Sequence, residues 1–189
     1  MRNLLFKDAL ELEVNIIGYH NQGESIVFFV RTDGYIAYAG LVDCYKTKDI
    51  NVVKMLLDRY EPDVLVITGH DGMIKKGTGF NDIYNYRNSK YFINAVNEAR
   101  SWNSKGKDLA IFAGACQSYY EAIMAAGANF ASSPGRIMID FIDPLIVAER
   151  IATTDNTRYL TINDIKDELR DGETGVSGIG SMGKKITKL

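Results

Sequence analysis

A histidine and a cysteine occupy corresponding places in two similar stretches, Asp63-Val-Leu-Val-Ile-Thr-Gly-His70-Asp-Gly72 and Leu109-Ala-Ile-Phe-Ala-Gly-Ala-Cys116-Gln-Ser118. In each, a short apolar run rich in branched side chains leads through glycine to a reactive group. Such runs read as strands buried on both faces of a parallel sheet, where ligands and catalysis gather beyond the carboxyl ends of the strands. Imidazole and thiol would then emerge on one edge, the arrangement in which a histidine activates a cysteine nucleophile. The chemistry expected is that of a cysteine peptidase with His70 and Cys116 as its dyad.

The neighbours of Cys116 fit that role. Residues Gln117 to Gly127 read as a helix, with Tyr120, Ile123 and Met124 at helical spacing and Gly127 in the stop position. This would set Cys116 at a helix amino end, where the helix dipole and a nearby imidazolium both favour thiolate. Gly69, Gly72, Gly114 and Ala115 leave room for a peptide backbone, and the amides of Gly72 and Cys116 are the expected oxyanion donors. Taken singly, a cysteine closing a buried strand reads as a small inert hydrophobe, and a lone histidine as a hydrogen-bonded structural residue. The pairing carries the argument, because the chain has two of each type and one of each falls at a core strand end. The other pair, His20 in a polar turn and Cys44 in Leu41-Val-Asp-Cys-Tyr45, lacks that setting and should be dispensable.

Chain order removes competing chemistries. An α/β-hydrolase or amidotransferase elbow has glycine two residues after the nucleophile and its histidine later in the chain, whereas position 118 is Ser and both histidines precede Cys116. A cysteine phosphatase places an arginine soon after the cysteine, and Gln117 to Ala122 contain none. Papain-like enzymes put the cysteine first. The caspase-like order survives, with histidine first and cysteine roughly 50 residues later.

Longer motifs then become informative. Pro62 to Gly72, Tyr84-Asn-Tyr-Arg-Asn-Ser-Lys-Tyr-Phe92, Phe112 to Ala122, Ala125 to Pro134, Asp143-Pro144 and the Gly175 to Gly180 stretch together resemble the sporulation-specific YabG protease family of endospore-forming bacteria. The resemblance covers about residues 50 to 189, and the first 45 or so match poorly. It implies a cysteine endopeptidase that processes spore coat and morphogenetic proteins and cuts after basic residues, arginine above all. It also implies synthesis in the mother cell of a sporulating bacterium and association with the spore coat. His70 and Cys116 match the family's proposed dyad. Within His70-Asp-Gly72, the Asp71 amide is the alternative to that of Gly72 in the oxyanion hole.

An arginine pocket needs walls and an acid. In a caspase-like sheet the segment beyond the strand after the nucleophile, here Ala131-Ser-Ser-Pro134, would wall it, with Ser132 and Ser133 touching substrate and Gly114 leaving the floor open. Asp140 and Asp143 are the nearest downstream carboxylates, Asp143 also reading as a helix N-cap; Asp71 and Asp82 are next in line.

Composition and spacing bound the rest. With 189 residues, 46% hydrophobic and 24% charged, the chain suits one peptidase domain over 1–189. A net charge of -2 gives no basic footprint for nucleic acid. Two cysteines outside any Cys-x-x-Cys pair suit a reducing compartment and argue against a disulfide scaffold or zinc site. No cofactor and no metal are expected. There is neither a transmembrane run nor a basic segment leading into an apolar one, so cytoplasmic synthesis is expected and membrane partners are not. Oligomeric state is not legible.

The elements expected to position the dyad form an α/β fold, a mainly parallel sheet flanked by helices in a caspase-like α/β/α sandwich. Strands are expected at Leu12–Ile17, Ser25–Val30 and, in a hairpin-like continuation, Tyr35–Tyr38. A helix over Lys48–Tyr60 precedes the strand that delivers His70, and one over Ser89–Trp102 precedes the strand Leu109–Ala113. Asn129–Ala131 is a further strand, Asp143–Ile151 a helix, and Thr161 caps a last helix to Leu169. Right-handed crossovers would make all these strands parallel. Gly178-Ile-Gly-Ser-Met-Gly183 matches the Gly-x-Gly-x-x-Gly phosphate loop by letter, but such a loop must follow a strand and open a helix. A loop folding near the active site is expected instead, and Lys75-Lys76 reads as solvated. Two other readings stand beside a peptidase: a catalytically silent caspase-like module that binds spore coat proteins, and another thiol acyl-transfer enzyme.

Overall fold

The computed structural model describes residues 12–18, 26–32, 38–43, 51–74, 79–102 and 108–185. His20, Cys44, the Lys75-Lys76 pair and most of the 35–38 segment lie outside them. Strands β1 (Leu12–Gly18), β2 (Ile26–Thr32) and β3 (Tyr38–Asp43) are followed by helix α1 (Asn51–Tyr60) and strand β4 (Val64–Thr68). Helix α2 (Ser89–Ser101), β5 (Ala110–Ala113), the short α3 (Tyr120–Ala125) and β6 (Phe130–Ser132) come next. Then follow α4 (Asp143–Thr153), β7 (Tyr159–Leu160), the single turn α5 (Gly172–Gly175), β8 (Val176–Gly178) and β9 (Ser181–Met182).

Among the described residues, seven strands form one sheet in the order β1-β2-β3-β4-β5-β6-β8, and β7 pairs with β9 separately. The sheet is parallel from β3 through β6. The expectation of an all-parallel sheet is corrected at both margins, where β1, β2 and β3 run as an antiparallel meander and β8 returns antiparallel to β6. Antiparallel neighbours need only a short connection, as between β1, β2 and β3, whereas parallel neighbours need a crossover, and helices supply one before β4, β5 and β6. Strand β8 instead returns to the sheet after the long excursion through α4, β7 and α5.

Alternation along the parallel strands divides the core into two layers. Leu65, Ile67, Ile111, Ala113 and Ala131 face one way and pack with Val53 and Leu57 of α1, Phe92, Val96 and Ala99 of α2, and Ile123 of α3. Val64, Val66, Ala110, Phe112 and Phe130 face the other way, against Val147, Ala148 and Ile151 of α4 and the segment from Leu160 to Val176. Both faces are therefore covered, which is why β4 and β5 read as continuous apolar runs. Phe92, Phe112 and Phe130 are fully buried, and each such side chain is worth about 1.5–3 kcal/mol in transfer from water.

Two helix expectations change. The segment after Thr161 is a pair of 3-10 turns, Ile162–Asp164 and Lys166–Glu168, the first held by a reciprocal Thr161/Asp164 capping box. Helix α4 includes Asp143 in its first turn, so Ile142 is the N-cap and the helix ends two residues later than expected. The tail expected as loop supplies β8 and β9.

Candidate active site

Strands β4 and β5 are in parallel register, with Ile67 paired to Ala113. His70 and Cys116 each follow three residues after those partners, so they leave neighbouring strands at equivalent positions on the carboxyl edge. The two strand ends are tied directly: Gly114 N–H donates to the Ile67 carbonyl at 2.9 Å, and Thr68 Oγ1 donates to the Gly114 carbonyl at 3.0 Å. His70 is exposed and Cys116 half-buried. The Cys116 thiol lies 3.9 Å from the Ile139 carbonyl oxygen.

Asp71 stands between these loops. Its Oδ1 accepts the backbone N–H of Gly72 at 2.8 Å and of Asn88 at 2.9 Å. Its Oδ2 accepts the hydroxyls of Ser89 and of Ser118, the latter at 3.0 Å. Burial pushes the Asp71 carboxyl above its ordinary value, against the opposing pull of those donors. Asn88 is the N-cap of α2 yet makes no side-chain cap bond; its Nδ2 instead donates to the His70 carbonyl at 2.7 Å. The Asp71 carboxylate caps α2 in its place, where the helix dipole favours an anion.

The Cys116 loop is shaped by long-range bonds. Gln117 has φ 54 and Ser118 is fully buried, its Oγ accepting the Ala115 N–H at 2.8 Å. Gln117 N–H donates to the Ile137 carbonyl at 3.0 Å and approaches Ser133 Oγ at 3.2 Å. These contacts hold residues 116–119 out of helical conformation, so α3 begins at Tyr120 and Cys116 does not sit at its amino end. Direct help to a thiolate from that helix, expected from the sequence, is absent. Of the two expected oxyanion donors, Gly72 N–H is committed to Asp71. The Cys116 N–H makes no hydrogen bond among the described residues.

The residues expected to bind substrate are placed unequally. Ser132 and Ser133 are fully buried. Ser133, at φ 65, donates through Oγ to the Ile137 carbonyl at 2.8 Å and so braces the segment facing the thiol. Gly114 opens no pocket floor, since a Cβ there would lie 3.2 Å from Ser132 Cβ and 3.4 Å from Ile123 Cδ1. Asp143 is 1% exposed, with its oxygens accepting the N–H groups of Asp140 and Arg170, each at 3.1 Å. Asp140 is half-buried, directly follows Ile139, and accepts the Ile142 N–H through Oδ1 at 3.0 Å. Asp82 is exposed and caps a local 3-10 turn.

Sequence reasoning missed Arg136. At φ 56 and with only 8% of its side chain exposed, it donates from Nε to Tyr86 Oη at 2.7 Å and pairs with Glu121. Its guanidinium lies over the rings of Phe80, Tyr86 and Tyr119 at 5.6–5.9 Å. It anchors the 133–139 segment to the far side of the Cys116 loop. Its only sequence signal is an arginine in a Pro-Gly-Arg turn, which reads as exposed.

Among the described residues no group of three or more His, Cys, Asp or Glu could hold a metal ion, and no helix is long and apolar enough to cross a membrane. A family model described as YabG peptidase U57 matches residues 36–189. The chain is 39% identical over 142 residues to the sporulation-specific protease YabG of Bacillus subtilis (strain 168), an alignment covering 75% of this chain and 49% of that protein. The chain thus spans about half the length of the curated relative it matches. No solved structure matches it.

Proposed function

Because the chain belongs to the YabG family of peptidases, we propose that it is a sporulation cysteine endopeptidase, built as one domain, in which His70 and Cys116 form the dyad. The observation that carries this reading is the parallel register of β4 and β5, which brings both side chains to one sheet edge at equivalent positions. The Cys116 thiolate attacks the scissile carbonyl carbon, and its oxyanion is met by the Cys116 N–H. Gly72 can join only by releasing Asp71. Collapse of the adduct breaks the C–N bond as the His70 imidazolium gives its proton to the departing amine. Water, losing a proton to His70, then hydrolyses the thioester, which regenerates the thiol and frees the new carboxyl terminus.

The substrates are spore coat or morphogenetic proteins, reached by synthesis in the mother cell and association with the coat. Cleavage follows arginine. Asp140, beside the carbonyl that faces the thiol, is the better placed of the two expected acids, because both oxygens of Asp143 are turned inward.

The test is a folded Cys116→Ala protein, which should bind substrate and not cleave it. His70→Ala should slow alkylation of Cys116 at neutral pH, and turnover should pass through a maximum with pH. His20→Ala and Cys44→Ala should retain turnover. Peptidase activity surviving in Cys116→Ala overturns the reading.

A further inference from the structure

Beyond the two reacting groups, we infer that Asp71 is a positioning residue of this site, its carboxylate fixing the His70 loop against the Cys116 loop. The inference rests on the dyad reading above.

The four donors that converge on Asp71 come from three separate parts of the chain. Gly72 belongs to the His70 loop, Asn88 and Ser89 to the start of α2, and Ser118 to the Cys116 loop. Each serine is a relay. Ser118 Oγ accepts the N–H of Ala115, the residue before Cys116, and Ser89 Oγ accepts the N–H of Tyr119, just beyond it, each at 2.8 Å. The backbone is thus held on both sides of the nucleophile. His70 is held likewise, its carbonyl by Asn88 Nδ2 and the following Asp71 by the Asn88 N–H that its carboxylate accepts.

The chemistry of position 71 is demanding. Both serines are fully buried and Asn88 nearly so. Since each hydroxyl already accepts an amide proton, it must donate, and only an acceptor at position 71 can take both protons. A carboxylate does so while accepting two amides as well. An asparagine would turn an NH2 group toward hydroxyls that also need to donate, leaving buried protons unpaired. Among the described residues the groups that hydrogen-bond to Asp71 are all neutral, so the geometry of the four donors is what recommends the carboxylate.

A residue that only capped α2 would affect stability, whereas a positioning residue also affects the chemical step. Asp71→Asn should lower kcat about a hundredfold, the scale of a misplacement near 1 Å, with little change in KM. Alkylation of Cys116 at neutral pH should slow toward the rate of His70→Ala. Ser118→Ala, which leaves the α2 contacts in place, should lose part of the same kcat, and the double variant should lose less than the product of the two effects. A folded Asp71→Asn protein with a lowered melting temperature but wild-type kcat and alkylation overturns the inference and reduces Asp71 to a helix cap. If Asp71→Asn does not fold, Ser118→Ala decides: reduced kcat at unchanged KM supports the inference, and wild-type kcat defeats it. Peptidase activity in Cys116→Ala would fail the dyad reading itself. Inactive Cys116→Ala beside fully active Asp71→Asn would fail only this inference.

Discussion

Glycine marks both the loop after β4 and the stretch from Gly178 to Gly183, for opposite reasons. Among the described residues, a Cβ placed on Gly72 would meet only Gln117 Oε1, at 3.7 Å, an ordinary contact. A Cβ on Gly178 would lie 2.1 Å from the Asn129 carbonyl oxygen, and one on Gly183 would lie 2.3 Å from the carbonyl oxygens of both Thr154 and Asp155. The first glycine leaves room beside His70 and Cys116, while at the other two the space is filled by neighbouring backbone. The amides differ in the same way. Gly183 N–H donates to the Arg158 carbonyl at 2.9 Å and Lys184 N–H to that of Ile151 at 3.0 Å, so the tail forms no phosphate cradle despite its Gly-x-Gly-x-x-Gly spelling. A motif acquires chemical meaning from what its backbone is already doing.

The largest expected effect tests that contrast directly. Gly183→Val forces Cβ into two carbonyl oxygens and should cost about 3 kcal/mol in denaturant unfolding, the upper range for overpacking. Its kcat per folded molecule should be unchanged. Gly72→Ala, with space available, should shift stability by less than about 0.5 kcal/mol while lowering turnover, the outcome expected from the proposed function, in which a substrate backbone passes beside this glycine. A stable Gly183→Val protein, or a Gly72→Ala enzyme with undiminished turnover, would break the comparison.

The parts of the site legible in the sequence are those set by local periodicity. Strands β4 and β5 are covered on both faces, so their apolar runs announced both them and the residues delivered at their ends. Strand direction was not legible, because periodicity carries no sign; β1, β2 and β8 are antiparallel through connections that the pattern does not encode. The late start of α3 was hidden for a different reason. Ser118 and Gln117 are held by Asp71, Ile137 and Ser133, partners 16 to 47 residues away. The sequence reads as a helix opening at Ser89, and only the fold shows that Asn88 reaches back to His70 and that both residues meet Asp71.

Asp140 and Asp143, three residues apart, sharpen the comparison between an edge that acts and an interior that packs. Asp143→Ala leaves two backbone amides without acceptors and should cost about 2 kcal/mol of stability. Asp140→Ala should instead lower turnover of arginyl substrates by roughly 1.5 to 3 kcal/mol, the loss of a charge-assisted contact. The pH dependence has a defined sign. Burial raises the Asp143 carboxyl above its ordinary value, so the folded protein holds this proton more tightly than the unfolded chain. Its contribution is fully present below the unfolded value, about 3.9, and is lost as pH rises through the folded one. Urea midpoints measured across that window should therefore fall less steeply in Asp143→Asn than in the parent. An equal slope would remove Asp143 from the account.

The smallest effect concerns Ser132, expected from the sequence to touch substrate. Its hydroxyl is fully buried and has no hydrogen-bond partner among the described residues. It packs beneath Gly114, within 3.2 Å of where that residue's Cβ would be. A buried hydroxyl that forfeits water and gains no partner is a net cost, so Ser132→Ala should raise stability by roughly 1 kcal/mol. Neighbouring Ser133→Ala should lower it by a similar amount, because Ser133 Oγ donates to the Ile137 carbonyl and approaches Gln117 N–H. If Ser132 lines the substrate pocket, its alanine variant will instead show a raised KM with unchanged unfolding. A raised midpoint at constant KM assigns the hydroxyl to the interior and leaves recognition to the exposed margin of the Cys116 loop.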